Sequence, residues 1–149
     1  MIRVLFICHG NICRSTMAES VMKHLVREAG AADRFEIDSA ATSTDAIGCP
    51  VHRGTRRVLE KQGIEVSEHY ARQMKKSDYR SFDYIIGMDE ANRRNIQRIV
   101  GEDAESKVYL LLDFVREKGE IADPWYTGDF DRTFEDVLRG CKALLGVLL

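Results

Sequence analysis

Eight consecutive residues, Cys8-His9-Gly10-Asn11-Ile12-Cys13-Arg14-Ser15, carry three chemistries in one short stretch. Cys8 is a candidate nucleophile. Arg14 offers a planar fork that matches two oxygens of an oxyanion. Gly10 and Asn11 are residue types that tolerate left-handed backbone, which a loop needs if it is to fold its N–H groups inward around an anion. The stretch therefore predicts a phosphate-type cradle built from residues 9–15, with Cys8 in its floor. Those surroundings favour Cys8 as the thiolate, with the Ser15 hydroxyl donating to the sulfur. A lone cysteine closing a buried strand is ordinarily an inert core residue. The interval of five residues to Arg14-Ser15, with Gly and Asn inside it, is what sets this one apart.

A second candidate lies far along the chain, in Asp123-Pro124-Trp125-Tyr126. A thiolate that displaces an oxygen leaving group from phosphorus needs a proton donor, and Asp123 can be one. Pro124 biases Asp123 toward extended backbone. Asp-Pro alone is a common turn, and two adjacent aromatics alone can be a loop anchor.

The elements that must position these residues follow from hydrophobic periodicity. Arg3–Cys8 is almost continuously apolar, as in a strand buried on both faces of a parallel sheet. Met17, Val21 and Leu25 mark a helix face, opened by a capping box over Thr16–Glu19 and closed at Gly30. A strand over Phe35–Ser39 comes next. A helix follows, opened by Cys49-Pro50 with Pro50 in its first turn, and it runs to Gly63. A third strand spans Tyr84–Met88, and Asp89 caps a helix ending at Gly101. A fourth spans Val108–Leu112, and Phe134, Val137, Leu138, Cys141, Leu144, Leu145 and Leu148 form one apolar helix stripe. Strands alternating with helices imply an α/β fold with a parallel sheet covered on both faces and right-handed crossovers, over a single domain of residues 1–149. Ligands of such sheets bind outside the carboxyl ends of the strands.

Composition narrows the function classes. A net charge of −2 gives no basic field for nucleic acid or an anionic membrane, and no apolar run is long enough to span a bilayer. The N-terminus lacks signal-peptide features, and a domain of this length needs no disulfides, so reduced thiols and a cytoplasmic location are expected. The four cysteines contain no CxxC pair and the four histidines are scattered, so neither a metal nor another cofactor is expected. Cys141, on the apolar stripe, reads as core. A monomer is the default.

Cys8–Ser15 followed by Met17-Ala18-Glu19 resembles the signature of the low-molecular-weight protein tyrosine phosphatases. The resemblance extends through Asp38-Ser39-Ala40, His69 with Ala71-Arg72-Gln73, Phe82–Ile86, Met88-Asp89 with Asn92, and Asp123-Pro124. It implies a four-stranded parallel sheet in a flavodoxin-like phosphatase fold. It also implies hydrolysis of phosphotyrosine in a protein, or of a small aryl phosphate, through a cysteinyl phosphate. Cys8, Arg14 and Asp123 would be catalytic, and Trp125 and Tyr126 would form a wall for the aryl ring. Ser15, Asn11, Ser39 and His69 would support the loop, and Cys13 would trap oxidised Cys8 as a reversible disulfide. The chain departs from the family pattern at His9, a rim position suited to acidic surroundings, at Thr16 in place of Pro, and in a loop 41–46 without Trp. Rival readings on the same scaffold are a protein arginine phosphatase, which tends to have Thr where Ile12 stands, and an arsenate reductase, which lacks the Asp-Pro acid. A non-catalytic phosphate-binding module is the rival from another class.

Overall fold

Strand β1 (Ile2–Cys8) has a neighbour on each side and is buried from Val4 onward, which is why its sequence is continuously apolar. In the computed structural model, which describes residues 1–149, β1 pairs in parallel with β2 (Phe35–Ala41) and β3 (Tyr84–Gly87), and β3 pairs in parallel with β4 (Val108–Leu110). The order β2-β1-β3-β4 is the flavodoxin-like one, and the direction of strand addition reverses at β1. The crevice for a ligand therefore opens at the carboxyl ends of β1 and β3.

Six helices complete the fold: α1 (Arg14–Glu28), α2 (Arg53–Lys61), α3 (Asp78–Ser81), α4 (Glu90–Val100), α5 (Pro124–Thr127) and α6 (Phe130–Leu148). The strand period of two sends Val4, Phe6 and Cys8 to a larger core with Met17, Val21, Leu59, Val137, Cys141 and Leu144 from α1, α2 and α6. Leu5 and Ile7 face a smaller core with Ile96 and Val100 of α4. Helices thus cover both faces. Within α6, a Cβ on Gly140 would lie 2.5 Å from Leu111 Cγ. Alanine would gain about 1 kcal/mol of helix propensity there, but forced overpacking costs about 1–3 kcal/mol, so close approach prevails over propensity. No helix is long and apolar enough to cross a membrane.

Three expected element boundaries are corrected. The capping box over Thr16–Glu19 does not form. Helix α1 begins at Arg14 with Cys13 as N-cap, Thr16 Oγ1 donates to Cys13 O at 3.1 Å, and Glu19 turns to partners outside the helix. Pro50 is not in a first helical turn. It bridges Tyr70 in an antiparallel pair, and α2 starts at Arg53, capped by His52, whose Nδ1 accepts from Gly54 N at 2.9 Å. The strand expected over Val108–Leu112 stops at Leu110, because Asp113 accepts from Leu110 N at 2.9 Å and closes a 3₁₀ turn over Leu111–Phe114. Asp89 caps α4 and Gly101, at φ 81°, ends it, as the pattern predicts.

Candidate active site

The cradle opens where β1 ends. Cys8 is 3% exposed, its Sγ lies 3.0 Å from Ser15 Oγ, and the Asn11 N–H donates to the sulfur at 3.3 Å. Asn11 has φ 60°, the left-handed backbone the loop requires. Gly10, expected to share that conformation, has no positive φ, so a single residue makes the turn. Its cost is offset by a saturated side chain. Asn11 Nδ2 donates to Ser15 Oγ at 2.8 Å and to Ser39 Oγ at 3.0 Å. Asn11 Oδ1 accepts from His69 Nε2 at 2.7 Å and from Arg72 N at 3.2 Å. Because Oδ1 can only accept, the His69 proton sits on Nε2.

A further ring of charge holds these groups. Ser39 Oγ donates to Glu19 Oε1 at 2.6 Å, while Glu19 Oε2 accepts from Lys23 Nζ at 2.7 Å and Ser67 Oγ at 3.0 Å. Arg72 bridges Asp38 and Asp78, each at 3.1 Å. Glu19, Asp38 and His69 lie close enough together to suggest metal ligands. The Glu19 oxygens already have donors and Asp38 already pairs with Arg72, so the cluster reads as support for the cradle.

The Arg14 side chain is 3% exposed. Its Nη1 donates to Asp89 Oδ2 at 2.7 Å and Ile121 O at 2.9 Å, and its Nη2 lies 3.4 Å from Asp123 Oδ2. Its Nε is buried with no partner. Burial opposes the guanidinium charge, but the nearby Cys8 sulfur, Asp89 and Asp123 outweigh it and hold the pKa above its ordinary value. The Cys13 thiol is pushed up to about 12, first by burial and then by Cys8 and Asp123. The Cys13 carbonyl, by contrast, is a structural acceptor, taking Thr16 Oγ1 at 3.1 Å, Thr55 Oγ1 at 3.0 Å and Met17 N at 3.1 Å.

Asp123 stands with extended backbone (ψ 114°) as N-cap of α5, its Oδ1 accepting from Trp125 N at 3.0 Å. Trp125 and Tyr126, 61% and 82% exposed, line the same cleft as Cys8, Ile12 and Asp123. His9 sits on the rim and is already occupied by Asp45, its Nε2 lying 2.7 Å from Oδ2. That corrects the reading of His9 as a free attractor of acidic groups.

All the residues expected at the site on sequence grounds therefore converge. Three others do not stand out from the sequence. Asp89 is recognisable as a helix cap, but its grip on Arg14 spans 75 positions. The signal for it is topological, since a carboxylate ending β3 must neighbour a loop leaving β1. Glu19 looks like a capping residue. His52 gives no local sign that its ring stacks on Phe130 at 5.0 Å between centroids and meets the Trp125 ring edge-on at 5.8 Å.

The chain is similar to known proteins over nearly its whole length. Residues 3–148 match the family model described as low molecular weight phosphotyrosine protein phosphatase. The chain is 39% identical over 147 residues to the Bacillus subtilis protein-tyrosine-phosphatase YfkJ, covering 97% of this chain and 94% of that one. It is 42% identical to a Gallus gallus protein named as a low molecular weight phosphotyrosine protein phosphatase, covering 95% and 92% of the two chains. The crystal structure of YfkJ superimposes with a TM-score of 0.95 at 38% identity, covering 99% of this chain and 94% of that one. The chain belongs to the low molecular weight phosphotyrosine protein phosphatase family.

Two expected outcomes follow from this geometry. Asp89→Asn keeps a capping side chain for α4 but removes the charge that aims Arg14. It should lower kcat/KM by about 10- to 100-fold and weaken inhibition by inorganic phosphate in parallel; undiminished phosphate inhibition would show that Arg14 needs no such partner. His52 has its pKa held below the ordinary 6.5 by burial and then by Arg53. The unfolded chain then binds this proton more readily than the folded one, so stability falls as pH drops from 6.5 through the lower folded value. In urea titrations across that window, His52→Asn, which keeps the cap, should show a shallower pH slope than the parent.

Proposed function

We propose that this chain hydrolyses phosphotyrosine in two steps through a phosphate ester on Cys8. The observation that carries this is the donor set around the sulfur. Arg14 Nε is buried without a partner, and the N–H groups of Ile12, Cys13, Arg14 and Ser15 make no hydrogen bond within the protein. A tetrahedral oxyanion satisfies such a set, and the amino end of α1 adds its dipole. His9 and Gly10 complete the cradle's rim.

In the first step the Cys8 thiolate attacks phosphorus as the bond from phosphorus to the tyrosine oxygen breaks. Asp123 delivers the proton that the leaving oxygen takes up. In the second step Asp123, now a carboxylate, removes a proton from water as that water attacks phosphorus. The phosphorus–sulfur bond breaks, releasing phosphate and a thiolate that the Ser15 hydroxyl and the Asn11 N–H receive. Fixed donors stabilise charge in both transition states without having to reorganise. Trp125, Tyr126 and the apolar Ile12, which line the cleft with Cys8, favour an aryl ester, whose ring can pack against them. Asp123, which a passive phosphate sensor does not need, favours turnover. The four free cysteines suit a reducing setting such as the cytoplasm.

Cys8→Ser should abolish hydrolysis of a small aryl phosphate. Asp123→Asn should lower kcat by about 10²-fold or more while leaving phosphate inhibition in place, and full activity in that variant would remove Asp123 from the acid role. Phosphotyrosine should be turned over in preference to phosphoarginine, with no reduction of arsenate.

The same loop supports redox control. Peroxide oxidises the Cys8 thiolate to a sulfenic acid, releasing hydroxide. Cys13, giving up its proton to the departing sulfenic oxygen, then attacks the Cys8 sulfur; a disulfide forms as water leaves, and an external thiol reduces it. Activity lost to peroxide should return with dithiothreitol in the parent but not in Cys13→Ser, and full recovery in that variant would exclude the trap.

A further inference from the structure

The rim of the cleft carries a charge pattern that phosphate chemistry does not require. The loop after β2 is drawn onto the cradle by Ser43, whose N–H and Oγ both donate to His9 O, at 3.1 and 2.8 Å. Ser43 Oγ also accepts from Asp45 N at 3.3 Å, and the Asp45 carboxylate closes the loop onto His9 Nε2 at 2.7 Å. Asp45 is thus fixed in place although its side chain is 72% exposed. The exposed side chains of Trp125 and Tyr126 line the same cleft.

The carboxyl groups lining this cleft belong to Asp45 and Asp123, with the His9 imidazole beside Asp45; no lysine or arginine lines it. Arg14 lies beneath, and Arg53, next to His52, is not part of the lining. A phosphotyrosine reaching Cys8 leaves its own backbone at the mouth, with its neighbours' side chains over the rim. A cationic neighbour there meets a carboxylate held in place and two aromatic faces, both attractive to it. An acidic neighbour meets the Asp45 carboxylate with no lysine or arginine on the lining to offset it.

We propose that Asp45, latched by His9 on the cleft that Trp125 and Tyr126 also line, selects phosphotyrosine sites flanked by lysine or arginine over sites flanked by aspartate or glutamate. This rests on the phosphatase reading above and names the substrate class within it. The pair is exposed, so the discrimination is a matter of a few fold and weakens with salt.

The test compares kcat/KM on three phosphotyrosine peptides that differ only in carrying Lys, Gln or Glu on both sides. The parent should favour Lys over Gln and Gln over Glu by about threefold at each step at low ionic strength. Raising the salt should compress the order. Asp45→Asn keeps an acceptor for His9 while removing the charge, and should bring the three peptides toward parity; Asp45→Lys should invert the order. A flat or reversed order in the parent, or an order that persists in Asp45→Lys, overturns the proposal. A small aryl phosphate assayed alongside separates the two levels. A parent that cleaves it yet treats the peptides alike refutes only the rim selectivity, whereas a parent that leaves it intact refutes the phosphatase reading itself.

Discussion

The site is organised by the need to bury the Arg14 guanidinium. A charge taken out of water costs several kcal/mol unless well-aimed partners replace its hydration. Here they come from three separate places: Asp89 at the end of β3, the Ile121 carbonyl after β4, and Asp123 just beyond it. One side chain therefore ties the loop leaving β1 to the ends of two other segments. Ile121 N in turn donates to Met88 O at 3.0 Å, so the segment bearing the acid is fastened to β3 as well as to Arg14. With both Nη atoms engaged, the plane of the fork is fixed, and its Nε stays buried with no partner in the protein. That is how a flexible side chain becomes a preorganised one.

The second constraint is Asn11. An ordinary residue with φ 60° is unfavourable in isolation, and the turn persists because every polar atom of its side chain is engaged. The partners are themselves held by charge, through Glu19 with Lys23 and through Arg72 with Asp38 and Asp78. Strain in the loop is thus distributed into α1, β2 and the segment around His69–Arg72. Asn11 also donates its own N–H to Cys8, so the residue that shapes the loop is the one that contacts the nucleophile.

What the sequence revealed and what it hid divide along the range of the interactions. The buried strand β1, the stripe of α6, the Asp89 cap and the cysteine-to-arginine interval are local patterns, and local patterns can be read. The Thr16–Glu19 box was equally local and yet does not form. Ser39 and Ser67, 20 and 48 positions away from Glu19, compete for its carboxylate, and only the folded sheet brings them there. Pro50 satisfied the rule for a first helical turn, but an antiparallel bridge to Tyr70 took its segment into extended backbone. Gly10 looked like the flexible point of the loop, whereas the hydrogen bonds available to an amide side chain placed the turn at Asn11. In each case a tertiary partner decided between two local options of similar energy.

The wall and the cradle are joined more closely than their distance in sequence suggests. His52 donates its backbone N–H to Ile12 O at 2.9 Å, caps α2 with its ring nitrogen, stacks that ring on Phe130 and sets its edge against Trp125. Gly54 leaves room for this, since a Cβ there would fall 2.5 Å from the Phe130 ring. The position of Trp125 over the cleft is therefore fixed by how α2 packs against the start of α6, not by α5 alone. Reactivity is set by buried, charge-assisted contacts worth several kcal/mol, while the choice of substrate rests on exposed groups worth about 1 kcal/mol or less each. A scaffold built this way can hold its chemistry constant while its rim varies. His9 and the loop after β2 therefore lie where selectivity can change without disturbing Arg14.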